Sequence, residues 1–146
     1  MADRISDIED LMIPALKEGT EATVETRSVA LTETELKTML GKAPFIYIEY
    51  AGGSALSRTE SGEVRARRLE WNLFVAARNL RSKKDAQRGS YELLTKVFST
   101  LDSATLVDTD TGKRAGPFSW SSEAAVFVAD DGGTVYQSVF TLIEPV

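Results

Sequence analysis

Phe45-Ile46-Tyr47-Ile48-Glu49-Tyr50-Ala51 and, further on, Glu63-Val64-Arg65-Ala66-Arg67-Arg68-Leu69-Glu70-Trp71-Asn72-Leu73-Phe74-Val75-Ala76-Ala77-Arg78 decide how this chain folds. Between them lies a polar run, Gly52-Gly53-Ser54-Ala55-Leu56-Ser57-Arg58-Thr59-Glu60-Ser61-Gly62, that reads as the tip of a turn. The pattern predicts one long β-hairpin over 45–78. Its return arm of 16 residues spans about 50 Å at about 3.3 Å per residue, against roughly 17–20 Å for an ordinary strand. A two-stranded ribbon alone is only marginally stable in water. Part of the arm is therefore expected to project from the body of a long hairpin and to grip another molecule.

Upstream, Ile5, Ile8, Leu11/Met12 and Ala15/Leu16 recur at helical spacing, with the acids Asp3, Asp7, Glu9 and Asp10 placed early. Ser6 and Glu9 have capping-box spacing, with Asp3 as the alternative start. Pro14 should kink or restart this helix, and Gly19 should stop it. A strand is expected from Ala22 to Val29. Thr32 and Glu35 form a second capping box before Leu36, Met39 and Leu40; Gly41 ends that helix and Pro44 leads into the hairpin.

Downstream, Asn79 to Ala86 is a polar, mostly basic connection. An amphipathic helix follows near Gln87 to Leu101, with Tyr91, Leu94, Phe98 and Leu101 as its inward face and Leu93 and Val97 beside them. Thr105-Leu106-Val107 reads as a short strand, and Asp108 to Gly112 as a loop. Phe118 to Ala129 and Thr134 to Ile143 form a second hairpin around Asp130-Asp131-Gly132-Gly133. The expected fold is α+β: a mostly antiparallel sheet packed by about three helices, one domain over 1–146.

The strands are apolar on both faces. Leu69, Trp71, Leu73, Val75 and Ala77 share one face of the return arm, yet Phe74 and Ala76 make the other apolar too. In the last hairpin Phe118, Trp120, Ala124, Val126 and Val128 alternate with Ala125, Phe127 and Ala129. Either helices cover both faces or a neighbouring subunit covers one.

Composition narrows the function. The chain has neither cysteine nor histidine, which removes the commonest general base, the thiolate nucleophile and the usual zinc ligands. No catalytic, cofactor-binding or metal-binding residue is nominated, and the expectation is a protein that is not an enzyme. A net charge of −5 argues against generic nucleic-acid binding. No apolar run is long enough for a membrane span, and no signal-peptide or lipidation pattern is present.

Candidate motifs mostly reduce to turns. Asp108-Thr109-Asp110-Thr111-Gly112 opens like a calcium loop, but its glycine falls one position early and Ser119 stands where the bidentate glutamate belongs. Gly52-Gly53-Ser54 has no lysine at phosphate-loop spacing, and Thr111-Gly112-Lys113 lacks the upstream glycine. The arginines are the sharper signal: Arg58, Arg65, Arg67 and Arg68 near the hairpin tip, with a second basic cluster of Arg78, Arg81, Lys83, Lys84 and Arg88. They serve either as solvated charge guarding an exposed edge or as contacts to an acidic protein surface or to passing DNA. With Phe74 and Phe127 from the second faces, the four hairpin arginines make up the candidate partner or oligomer contacts. Trp71 and Trp120 are assigned to the core.

The stretch Phe74-Val75-Ala76-Ala77-Arg78-Asn79-Leu80-Arg81, a short basic loop, and then Arg88-Gly89-Ser90-Tyr91-Glu92-Leu93-Leu94 with an apolar tail to Leu101 resembles the Mu-like phage tail terminator (minor tail protein) family. The N-terminal helix, Leu36 to Leu40, and Ala43-Pro44 leading to Tyr50-Ala51-Gly52 agree, so the resemblance runs over residues 4 to 101 in order. It implies a structural virion protein of the tail, assembled in the bacterial host cytoplasm as a hexameric ring. Such a ring caps the tail tube, ends its polymerisation and meets the neck connector, and in contractile systems the sheath. DNA would only pass through its lumen. A head–neck completion protein is the neighbouring alternative. A small ligand-binding or enzymatic module using carboxylates and Tyr136 or Tyr47 is the remote one.

Overall fold

The computed structural model describes residues 4–27, 31–77, 83–130 and 133–146, with side chains for all of these except 27 and 83–90. The chain opens with helix α1, Arg4–Thr20, whose residues Ile8, Leu11, Met12 and Leu16 are buried at helical spacing. Ser6 thus lies inside the helix rather than at its cap, and Asp3 falls outside the described residues. The helix also runs through Pro14 without a break. Pro14 and Asp10 both lie on its exposed side, where water can take the carbonyl that the missing N–H leaves free. Nor does Gly19 stop the helix. The stop is Glu21, at φ 60°, whose N–H returns to the Lys17 carbonyl at 2.9 Å. Gly19 instead allows close packing, because a β-carbon there would meet the Thr100 side chain.

Strand β1, Thr23–Arg27, leads to helix α2, Glu33–Gly41, which the Thr32 hydroxyl caps by accepting from the Glu35 N–H at 3.3 Å. The expected strand reached Val29, and residues 28–29 lie outside the described residues. The remaining elements are β2 (Phe45–Arg58), β3 (Val64–Ala77), α3 (Lys83–Leu101), β4 (Leu106–Val107), β5 (Arg114–Ala115), β6 (Phe118–Val128) and β7 (Thr134–Pro145). Five strands form one sheet in the order β1-β2-β3-β7-β6, with β4 and β5 as a separate ribbon. Only the β1–β2 pair in the main sheet is parallel, because α2 carries the chain back across before β2 begins. This is the α+β fold expected from the sequence.

The hairpin differs from expectation at its tip. Residues 52–58 are not loop but the second half of β2, so the turn proper is only Thr59 to Glu63. Gly52, at φ 133°, sits at a register shift between Tyr50 and Gly52, so it makes a bulge rather than a turn. The long return arm is real, but β7 flanks it from Ala77 to Ala66 and ends there at Pro145. Only residues 58–65 extend past this third strand, by about 10 Å. The projection is a short knob on a supported arm, not a free stalk.

Both faces of the sheet are packed, in unequal measure. On one face α1, α3 and the β4–β5 ribbon cover Ile46, Ile48, Leu69, Trp71, Leu73, Phe140 and Leu142. On the other, α2 covers one end only, closing over Phe45, Phe74, Ala76 and Val135. Beyond α2 that face turns polar, with Glu49, Asn72, Glu70 and Arg68 following Phe74 at alternate positions of the paired strands. Intrachain helices thus account for the two-sided apolar pattern of β3. They do not account for that of β6.

Candidate functional site

Strand β6 is an outermost strand of the main sheet. Of its 11 residues, only Phe118 is buried and Phe127 half-buried. Register shifts at Trp120/Ser122 and Ala125/Phe127 break its alternation, which places Trp120, Glu123 and Ala125 on the face shared with α3 and Phe127 on the α2 face. Simple alternation had put Trp120 with Ala124 and Val126; the two bulges re-phase the strand. At the start of β6, residues 102–104 border its outer side: the Ser103 N–H donates to the Phe118 carbonyl at 2.7 Å, the Phe118 N–H to the Ala104 carbonyl at 3.0 Å, and the Trp120 N–H to the Asp102 carboxylate at 3.0 Å. Among the described residues no strand of the main sheet lies beyond it.

Helix α3 runs beside this edge and leaves a groove of about 380 Å³ lined by Tyr91, Leu94, Thr95, Phe98, Glu123 and Tyr136. Here the expected inward face is corrected. Leu93, Val97 and Leu101 point into the core, whereas Tyr91 is 52% and Phe98 42% exposed. Tyr91-Leu94-Phe98-Leu101 and Leu93-Val97-Leu101 are both valid helical stripes. The packing against α1 and β3 buries the second and turns the first toward the edge. Trp120 is likewise no core residue: it is 37% exposed and meets Phe98 edge-on at 5.8 Å. Trp71, by contrast, is fully buried between Tyr50 and Phe118. Burial raises the Tyr136 hydroxyl above its usual pKa; the neighbouring Tyr91, which shares a hydrogen bond with it, and the charge of Glu123 add to the effect.

The hairpin arginines divide. Arg58, at the start of the knob, donates to the Gly62 carbonyl at 2.8 Å and so binds its own turn. Arg65 and Arg68 are exposed and Arg67 half-buried. Arg67 lies opposite Glu144, which Arg4 grips with two hydrogen bonds of 3.0 and 2.8 Å while also holding the Arg114 carbonyl. Arg68 faces the other way, with Glu70, Thr141 and Ile143.

The candidate contacts Phe74 and Phe127 lie on the α2 side of the sheet. Phe74 is only 9% exposed beneath α2, and Phe127 packs against the same cluster. Tyr47 lies on that side too, against Phe45 at 4.5 Å. Of the second basic cluster, Arg78 and Arg81 fall outside the described residues, as do the side chains of Lys83, Lys84 and Arg88. In the Asp108 loop, the carboxylate accepts from the N–H groups of Asp110 (2.9 Å) and Thr111 (3.4 Å), hydrogen bonds that lower its pKa and tie a local turn.

The sequence pointed to the hairpin and missed the groove. Its signal was present in α3, whose two apolar stripes are one more than a single core contact needs. Among protein-family models and curated proteins, none matches this chain.

Proposed function

We propose that this chain is a structural tail terminator: a ring-forming protein that caps a phage tail tube, stops its growth and joins it to the neck. The observation that carries this is β6, an edge strand whose residues 119–126 are exposed beside an open aromatic groove. Long exposed edges invite pairing with another chain, and native proteins keep one where a partner covers it. The arginine-bearing end of the hairpin stands at the far end of the same sheet. Two unlike surfaces at separate places suit head-to-tail association, which closes into a ring when the rotation per subunit is right.

The likeness of residues 4–101 to the tail terminator family supplies the biological setting. In it the partners are the tube protein, the neck connector and, in contractile tails, the sheath, with DNA passing through the lumen. The site is the virion tail, after assembly in the host cytoplasm, and the role is mechanical rather than catalytic.

The test is light scattering over a concentration series, with and without purified tail tubes, followed by electron microscopy of tube ends. Rings that cap tubes and fix their length are the expected result. A chain that stays monomeric, leaves tubes growing and does not sediment with them refutes the proposal.

A further inference from the structure

Within that ring, we propose that the groove between α3 and β6 of one copy receives the hairpin knob of a second copy together with Leu56 at its base, with Leu56 seated against Tyr91 and Phe98 and Arg58 facing Glu123. The inference rests on the ring reading above and names the two surfaces that would meet. Leu56 is 44% exposed on the distal half of β2, where no described strand pairs with the outer edge of β2. The other exposed rings, Tyr91, Phe98 and Trp120, gather at the groove. An aliphatic anchor and an aromatic slot of this size are complementary in kind.

Charge is complementary as well. Residues 52–68 hold four arginines against two glutamates, in a chain whose net charge is −5. The distal hairpin is thus a basic stretch of an acidic molecule. Arg58 donates to a carbonyl and has no carboxylate partner among the described residues, and Glu123 is the carboxylate among the described residues that line the groove. Opposite potentials of this sort select the partner and fix its orientation.

The donor must be another copy. Tyr136 lies on the groove wall and Pro145 beside the root of the knob, nine residues apart on β7, which is about 30 Å of strand. The knob of a chain cannot reach its own groove without dismantling the sheet. Each copy therefore offers one knob and one groove at different places, the requirement for a head-to-tail contact.

The experiment uses the full chain, followed by sedimentation velocity over a concentration series, and on purified tubes by electron microscopy if the free chain is monomeric. Leu56→Asp, Arg58→Glu and Glu123→Arg should each raise the assembly midpoint about tenfold or more. Arg58→Glu combined with Glu123→Arg in one chain should recover assembly to within about threefold of the parent. All three positions are exposed, and unchanged circular-dichroism melting confirms that the variants fold. Parent-like assembly of the single variants, or a double variant no better than they are, overturns this contact and leaves the ring intact. A parent chain that forms no ring even on tubes overturns both proposals. Charge-swap recovery in rings that never cap a tube upholds the contact and removes the capping role.

Discussion

Phe98 and Leu101 lie one turn apart on α3 and meet opposite environments: Leu101 is fully buried, while Phe98 lies on the groove against Trp120. Leu101→Ala leaves a cavity and should cost about 2–5 kcal/mol. Phe98→Ala loses mainly one edge-on ring pair, about 0.5–1.5 kcal/mol. Urea unfolding with an unchanged slope measures both, and equal losses would overturn the assignment of faces. Gly19 makes a second case. Alanine is the better helix former by about 1 kcal/mol, yet its methyl would run into Thr100, whose hydroxyl is held on the Lys96 carbonyl at 2.7 Å. Overpacking costs about 1–3 kcal/mol, so Gly19→Ala should lower stability, and adding Thr100→Ala should restore most of the loss. Additive effects of the two changes would show that they do not touch. The helices themselves were legible residue by residue, down to the Thr32 cap. Which stripe of α3 faces inward was not, because two stripes fit the helical period and only the packing of α1 and β3 chooses between them.

The hairpin shows how an element can be legible in kind and misjudged in extent. Its arms announce themselves, but Gly52-Gly53-Ser54 looks like a turn and is a bulged strand, since glycine serves a bulge as well as a turn. Local composition does not separate the two; the register against Leu69 and Glu70 does. Nor does β3 show in its own residues that β7 will flank it as far as Ala66. The consequence bears on experiment. Deleting 52–62 would strip the strand partner from Leu69 and Arg67 and damage the body. Replacing 58–65 by Asn-Gly instead joins Ser57 to Ala66, already cross-strand neighbours, through a tight two-residue turn. That variant should stay within about 1 kcal/mol of the parent in stability while losing ring assembly, as judged by melting and by light scattering. Assembly at the parent concentration would show that the knob is not part of the contact.

At the scale of the whole molecule, two unlike surfaces on one rigid sheet set how copies can combine. Excess apolar residues in the last hairpin were legible as surface wanting cover, whereas the separation of knob and groove depends on the strand order β1-β2-β3-β7-β6, which no local pattern encodes. If the contact is head to tail, a Leu56→Asp chain keeps a working groove and a Glu123→Arg chain keeps a working knob. Each alone should sediment as a monomer at concentrations where the parent forms rings. Mixed in equal amounts, they can make one contact per pair and no more, because the remaining knob and groove are both defective. The mixture should therefore stop at a one-to-one dimer, visible as a single new sedimentation boundary whose amount peaks at equal proportions. A two-fold contact predicts otherwise for the parent: each pair would hold two knob–groove contacts, the parent itself would stop at a dimer, and mixing the variants would restore one of the two contacts. Rings regenerated by mixing would point to a third surface strong enough to close the assembly without this one. The mixing experiment, read beside the parent's own stoichiometry, thus separates polar growth from symmetric pairing using two exposed substitutions, and it does so without tubes or host.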